Sequence, residues 1–149
     1  MKEKIIDTKK YTALTLGYLG LLPPLLTAGA SLTSYLSAME SFEFNLLYAN
    51  MILSFLGGTH WYAGITSQLG APIRKILVGI ISSIAGITSL LIGGIIGAFM
   101  TTTGLLVLGL IEKYQPLAEG DDIDWYISLR IKLTVGLTSL LLVSLWLSV

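Results

Sequence analysis

Residues 76–111 carry no charged side chain. As one helix that run would extend about 54 Å at 1.5 Å per residue. The hydrocarbon core of a bilayer is only about 30 Å thick, so the run must fold back on itself. The break is expected at Ile92-Gly93-Gly94, because glycine accepts the backbone angles of a reversal. This gives two helices, 76–91 and 95–112, short enough to call for local bilayer thinning or shielding by protein. Three further apolar stretches could cross: 11–36, 44–66 and 125–148. A transmembrane strand would alternate apolar and polar residues, whereas Leu140-Leu141-Leu142-Val143 is continuous. Helices satisfy their own backbone in lipid. The expected fold is therefore an all-α membrane protein, a five-transmembrane-helix bundle forming a single domain over 1–149.

Composition narrows the function. Hydrophobic residues make up 54% of the chain and charged ones 12%, about half the charge of a soluble domain. Disorder would need the reverse balance. Lys plus Arg equals Asp plus Glu at 9 each, so no basic surface for nucleic acid is expected. With no Cys and one His, thiolate chemistry and Cys- or His-cluster metal sites are excluded. Residues 1–10 mix acids and bases, unlike an Arg-rich presequence, and the first apolar segment is expected to stay as a membrane helix.

Charge placement gives an orientation. Lys2, Lys4, Lys9, Lys10, Arg74, Lys75, Lys113, Arg130 and Lys132 all fall on one side, whereas Glu40 and Glu43 fall on the other. The positive-inside rule then puts the N-terminus in the cytoplasm, or the equivalent matrix, and the C-terminus outside. Tyr11, Tyr114, Trp125 and Tyr126 mark the inner interface, and Tyr35 and Trp146 the outer one. Asp121, Asp122 and Asp124 suit a solvated turn and the N-cap region of the last helix.

Several residues could carry chemistry. Pro23-Pro24 lies mid-membrane and removes two backbone donors. It reads as a hinge or unwound ligand site, or as a static kink buried by neighbours. At 100° per residue, Asn50, Ser54, Gly57, Trp61 and Gly64 form one stripe, flanked by Gly58 and His60. Such a stripe faces protein rather than lipid. His60 lies about 9 Å deep and is a candidate proton relay, haem ligand or anion contact. The plainer alternative is a neutral imidazole bonding another helix. Arg130 lies at nearly the same depth, and Tyr18 and Glu112 share that leaflet. Together the four could form an anion or lipid-headgroup pocket, or a simple Arg–Glu lock. Lys132 points elsewhere and is expected to snorkel. Gly79, Ser83 and Gly86, and likewise Gly93, Gly97, Thr101 and Gly104, are close-packing signals. The polar run Met100-Thr101-Thr102-Thr103 needs no pore, since Thr hydroxyls can bond the i−4 carbonyl.

The string Asn50-Met51-Ile52-Leu53-Ser54-Phe55-Leu56-Gly57-Gly58-Thr59-His60-Trp61 resembles a signature of the transmembrane protein 69 family (domain of unknown function 3429). So do Trp125-Tyr126-Ile127-Ser128-Leu129-Arg130-Ile131-Lys132-Leu133-Thr134 and the Leu-Gly-x-x-Gly-Leu-Leu-Pro start at residues 16–23. The resemblance implies a small multi-pass protein of a bacterial inner membrane, with a mitochondrial branch, and no known activity. It places Gly57, Gly58, His60, Trp61 and Arg130 in the family's core site. Glu112 stands where an Asp is usual, so a carboxylate is kept.

The leading expectation is a non-enzymatic membrane subunit or assembly partner, in a homo-oligomer or larger complex. An alternative is a small-molecule, ion or proton pathway lined by Asn50, Ser54, His60, Glu112 and Arg130. A further alternative is a haem or quinone site at His60 and Trp61. No resident cofactor or metal is otherwise expected. An enzyme is not expected, for want of paired carboxylates, a nucleophile–base motif or metal-ligand spacing.

Overall fold

The computed structural model describes residues 2–66, 71–115, 117 and 124–149. Every regular element among them is helical: α1 (Lys2–Leu19), α2 (Leu22–Leu32), α3 (Ala38–Thr66), α4 (Pro72–Ile92), α5 (Gly94–Tyr114) and α6 (Asp124–Ser148). Four segments are long and apolar enough to cross a membrane: Thr8–Leu32, which runs through α1 and α2, and then α4, α5 and α6. This corrects the expected five. The segment that falls short is α3, the longest helix at 29 residues. Asn45, Asn50 and His60 lower its hydropathy, and all three are buried against other helices. The helices α4 and α5 have 21 residues each, or about 32 Å, so the expected thinning is not needed.

The expected first helix, 11–36, is two helices. Gly20 N–H bonds the carbonyls of Leu16 (3.0 Å) and Gly17 (3.1 Å), and Leu21 N–H bonds that of Tyr18 (3.0 Å), which closes α1 in a tight turn. Pro23 and Pro24 then fall in the first turn of α2, where a missing N–H is tolerated. Pro24 cannot donate to the Gly20 carbonyl four residues back. Tyr48 Oη of α3 donates to that oxygen instead, at 2.6 Å, so the break is braced from outside.

A capping box starts α3 well before residue 44. Ser37 N–H donates to Glu40 Oε2 (2.8 Å), and Glu40 N–H donates to Ser37 Oγ (3.1 Å), which satisfies two end donors reciprocally. The helix is the axis of the bundle. It runs antiparallel to α4 along a seam of small residues. A Cβ at Gly57 would lie 2.8 Å from the Gly79 carbonyl oxygen, one at Gly79 2.6 Å from the Gly57 oxygen, and one at Gly64 2.7 Å from Ile76 Cγ1. The spacing of seven residues, 57 to 64 and 79 to 86, keeps the seam on one face of each helix. At Gly93 (φ 64°) and Gly94 (φ 54°) the chain turns through the left-handed region and reverses into α5.

Two expectations about packing need correction. Gly58 is exposed, and a Cβ added there would meet nothing within 4 Å, because it lies about 100° around the helix from Gly57. Gly93 forms the turn between helices and is not a packing residue of a helix face. Asp124 opens α6, whereas Asp121 and Asp122 lie outside the described residues. The apolar core joins α3, α5 and α6 through Leu46, Leu53, Leu105, Leu108, Leu137 and Leu141.

The seam predicts opposite outcomes for adjacent glycines. Gly57→Ala should destabilise the fold by about 1–3 kcal/mol through overpacking. Gly58→Ala should be neutral or stabilise by up to about 1 kcal/mol through helix propensity. Denaturant unfolding in a fixed detergent checks both, and equal effects would contradict the seam.

Candidate functional site

The chain direction alternates, so α3 and α5 run toward the same end of the bundle and α6 runs away from it. His60 near the end of α3, Glu112 near the end of α5 and Arg130 near the start of α6 are thereby brought together. Arg130 Nε donates to Glu112 Oε2 at 2.8 Å, and Arg130 Nη2 donates to Glu112 Oε1. This two-pronged pairing is the strongest form of carboxylate recognition. His60 Nε2 lies 3.2 Å from Glu112 Oε1, within ion-pair reach but off the line a hydrogen bond requires. A carboxylate at that distance favours a hydrogen on Nε2. The side chains of His60 and Glu112 are 1% and 6% exposed and that of Arg130 12%, so the group sits largely out of solvent. The Arg130 guanidinium also lies 5.8 Å over the Tyr126 ring, a cation–π contact.

The other expected members lie elsewhere. Tyr18 is half-exposed on α1 and its hydroxyl makes no hydrogen bond among the described residues. Trp61 is 47% exposed. Its Cβ lies over Gly79, and its ring points to a different face from the His60 imidazole. A joint haem or quinone site at His60 and Trp61 does not fit this arrangement, because Nε2 faces Glu112 and the indole faces outward. Ser54 packs beside Gly86, close to Asn50, but makes no side-chain hydrogen bond to the polar groups of the described residues.

Asn50 belongs to a second cluster, between α3, α4 and α5. Its Nδ2 donates to the Leu46 carbonyl (2.9 Å) and to Ser89 Oγ (3.3 Å). Thr101 Oγ1 donates to Asn50 Oδ1 at 3.0 Å, and Ser89 Oγ and Thr101 Oγ1 are 2.6 Å apart. Donors and acceptors can run around this ring in one direction, from amide to Ser89 to Thr101 and back to the amide. Such closed rings polarise each bond in turn. The Gly97 carbonyl lies within reach of both hydroxyls, 2.7 Å from Ser89 Oγ and 3.0 Å from Thr101 Oγ1, so each single-proton donor has an acceptor inside the protein whichever way the ring runs.

A third cluster goes beyond the sequence expectations. Asn45 accepts from Thr27 Oγ1 at 2.9 Å, and its Nδ2 donates to the Pro24 carbonyl and to Ser144 Oγ. It ties α2, α3 and α6. The stripe containing Asn50 omits Asn45, because five residues are about 140° around a helix. The usable signal is simpler: any amide in an apolar helix needs partners.

A cleft of about 370 Å³ opens beside Arg130, between α1, α3 and α6. Arg130 is its one charged lining residue, and Leu16, Ile52, Phe55 and Leu133 supply much of its apolar wall.

Residues 9–146 match the family described as Protein of unknown function (DUF3429), and the chain belongs to that family. No curated protein and no solved structure matches it.

Removing one side of the ion pair should be costly. Glu112→Gln or Glu112→Leu alone should destabilise the protein by about 3–5 kcal/mol, because a charged guanidinium is left without its carboxylate. Combining Glu112→Leu with Arg130→Met should recover much of that loss. A double-mutant cycle by denaturant unfolding in detergent measures the coupling. A coupling near zero would show that the pair does not hold the helices.

Proposed function

We propose that the chain is a non-enzymatic integral membrane protein that acts as a subunit or assembly partner within the bilayer. One observation carries this reading: the buried amides, the imidazole and the ion pair each face polar groups of the chain's own other helices, in three separate sets. Fully buried Leu53 and Leu105 lie between the Asn50 set and the His60 set. An ion or proton pathway needs polar groups in succession, and those leucines interrupt them. Glu112 is engaged by Arg130 on both oxygens, which suits a clamp between helices better than an acid or base awaiting substrate.

In this reading α3 is a fifth crossing. Its 29 residues extend about 43 Å, and its polar faces are covered by protein. Lys9, Lys10, Arg74 and Lys113 lie at the opposite end of the bundle from Glu40 and Glu43, which favours an N-terminus on the cytoplasmic or matrix side. The membrane is taken to be a bacterial inner membrane, with the mitochondrial inner membrane as the alternative. Large apolar side chains such as Met51, Leu91 and Phe99 face outward. Gly29 and Gly58 leave open ground where a neighbouring backbone can come close.

Extraction of whole membranes into polymer-bounded lipid particles, followed by mass measurement, tests the reading. The expected particle contains more protein than one 16.0 kDa chain, and Gly58→Leu reduces its mass without unfolding the chain. A lone chain, with proton flux in liposomes abolished by His60→Ala, would overturn the reading in favour of a pathway.

A further inference from the structure

The cleft beside Arg130 has a polar end and an apolar end. Arg130 and Thr134 line it one helical turn apart on α6, so both project onto the same side. Arg130 gives Nε and Nη2 to Glu112, and Nη1 has no acceptor among the described residues. The Thr134 hydroxyl makes no hydrogen bond among them either. Two sets of donors therefore meet at one end of a cavity whose remaining wall is almost wholly apolar. At the other end the Tyr48 hydroxyl is already committed to the Gly20 carbonyl. Between these ends the wall formed by α3, from Tyr48 to Leu56, extends about 12 Å.

We propose that this cleft holds one acyl chain of a bilayer glycerolipid, with an ester carbonyl of the lipid accepting hydrogen bonds from Arg130 and Thr134. Three features select this occupant. The mouth is flanked by Leu16 and Phe55, which are 63% and 66% exposed, so it opens sideways toward lipid rather than toward water. The volume of about 370 Å³ lies at the lower end of the range of small-ligand sites and suits a single chain. The Glu112–Arg130 pair is formally neutral, so an uncharged oxygen fits the remaining donors better than a phosphate. The depth agrees: Arg130 lies about 9 Å along α6 from Asp124, close to where head group and chain meet. This goes beyond the subunit reading and does not rest on it, since a lone chain could hold the lipid equally well.

Native mass spectrometry of the full chain, titrated with 1-palmitoyl-2-oleoyl phosphatidylethanolamine, tests the assignment. The wild type should retain one tightly held lipid. Leu16→Trp, which fills the mouth from an exposed position, should weaken retention about tenfold, and Thr134→Val several-fold. Leu91→Trp, on the exposed surface of α4, should leave it unchanged. Retention that is equal in all four proteins would overturn the proposal. Retention of an added isoprenoid quinone in preference to the phospholipid would overturn the choice of occupant. Should Leu16→Trp fail to fold, a phospholipid carrying a mid-chain diazirine decides the matter in the wild type. Label on peptides covering 16–21, 52–56 and 133–137 supports the site, and label confined to α4 and α5 overturns it.

Discussion

A polar side chain within a membrane protein must find its partner inside the protein, because hydrocarbon offers none. The rest of this bundle follows from that constraint acting on α3. Asn45, Asn50 and His60 are spread along one helix and point in different directions. Each recruits a different pair of neighbours: α2 with α6, α4 with α5, and α5 with α6. Every other helix except α1 is tied to α3 by at least one of these groups. Hydrophobic attraction cannot supply such specificity in lipid, where one apolar surface is as good as another. Position is set instead by hydrogen bonds and by glycines that let α3 and α4 approach at backbone distance.

The ion pair shows how such a group serves geometry. A carboxylate and a guanidinium neutralise each other, while the imidazole lies against the carboxylate as a third helix's contribution. The planar guanidinium has more donors than one carboxylate can accept. It can therefore fix the helices and still present N–H groups to the neighbouring cleft. A lysine at the same place would give a point charge without that division of labour.

Much of this is legible in the residues. The uncharged run 76–111 has to contain a reversal, and Gly93-Gly94 is where it occurs. His60, Glu112 and Arg130 are expected at one depth, and helix rise alone is enough to bring them level. Other features depend on rotation and direction, which a periodicity argument reads poorly. Tyr18 shares the leaflet with His60 but faces outward. Gly58 sits beside Gly57 in the chain and a quarter-turn away in space. Asn45 falls outside the polar stripe because a stripe describes one face, whereas α3 buries more than one. Hydropathy finds four spans rather than five for a related reason: it counts Asn45, Asn50 and His60 as if they met lipid, whereas α3 turns those residues toward protein. Ser37 and Glu40 carry a readable start signal, but the apolar pattern places the start later.

The burial of Asn45, Asn50 and His60 on α3 also bears on how the chain is made. A helix with two amides and an imidazole gains little by partitioning into lipid by itself, whereas α4, which follows after a short connection, partitions readily. On the five-crossing reading, α3 enters together with α4 as a hairpin, α4 drawing its more polar predecessor into the bilayer. The full set of polar partners for α3 is complete only once α6, the last of these helices to be translated, has arrived. Until then the nascent protein holds unanswered polar groups, which makes the interval before α6 emerges its most vulnerable stage for quality control.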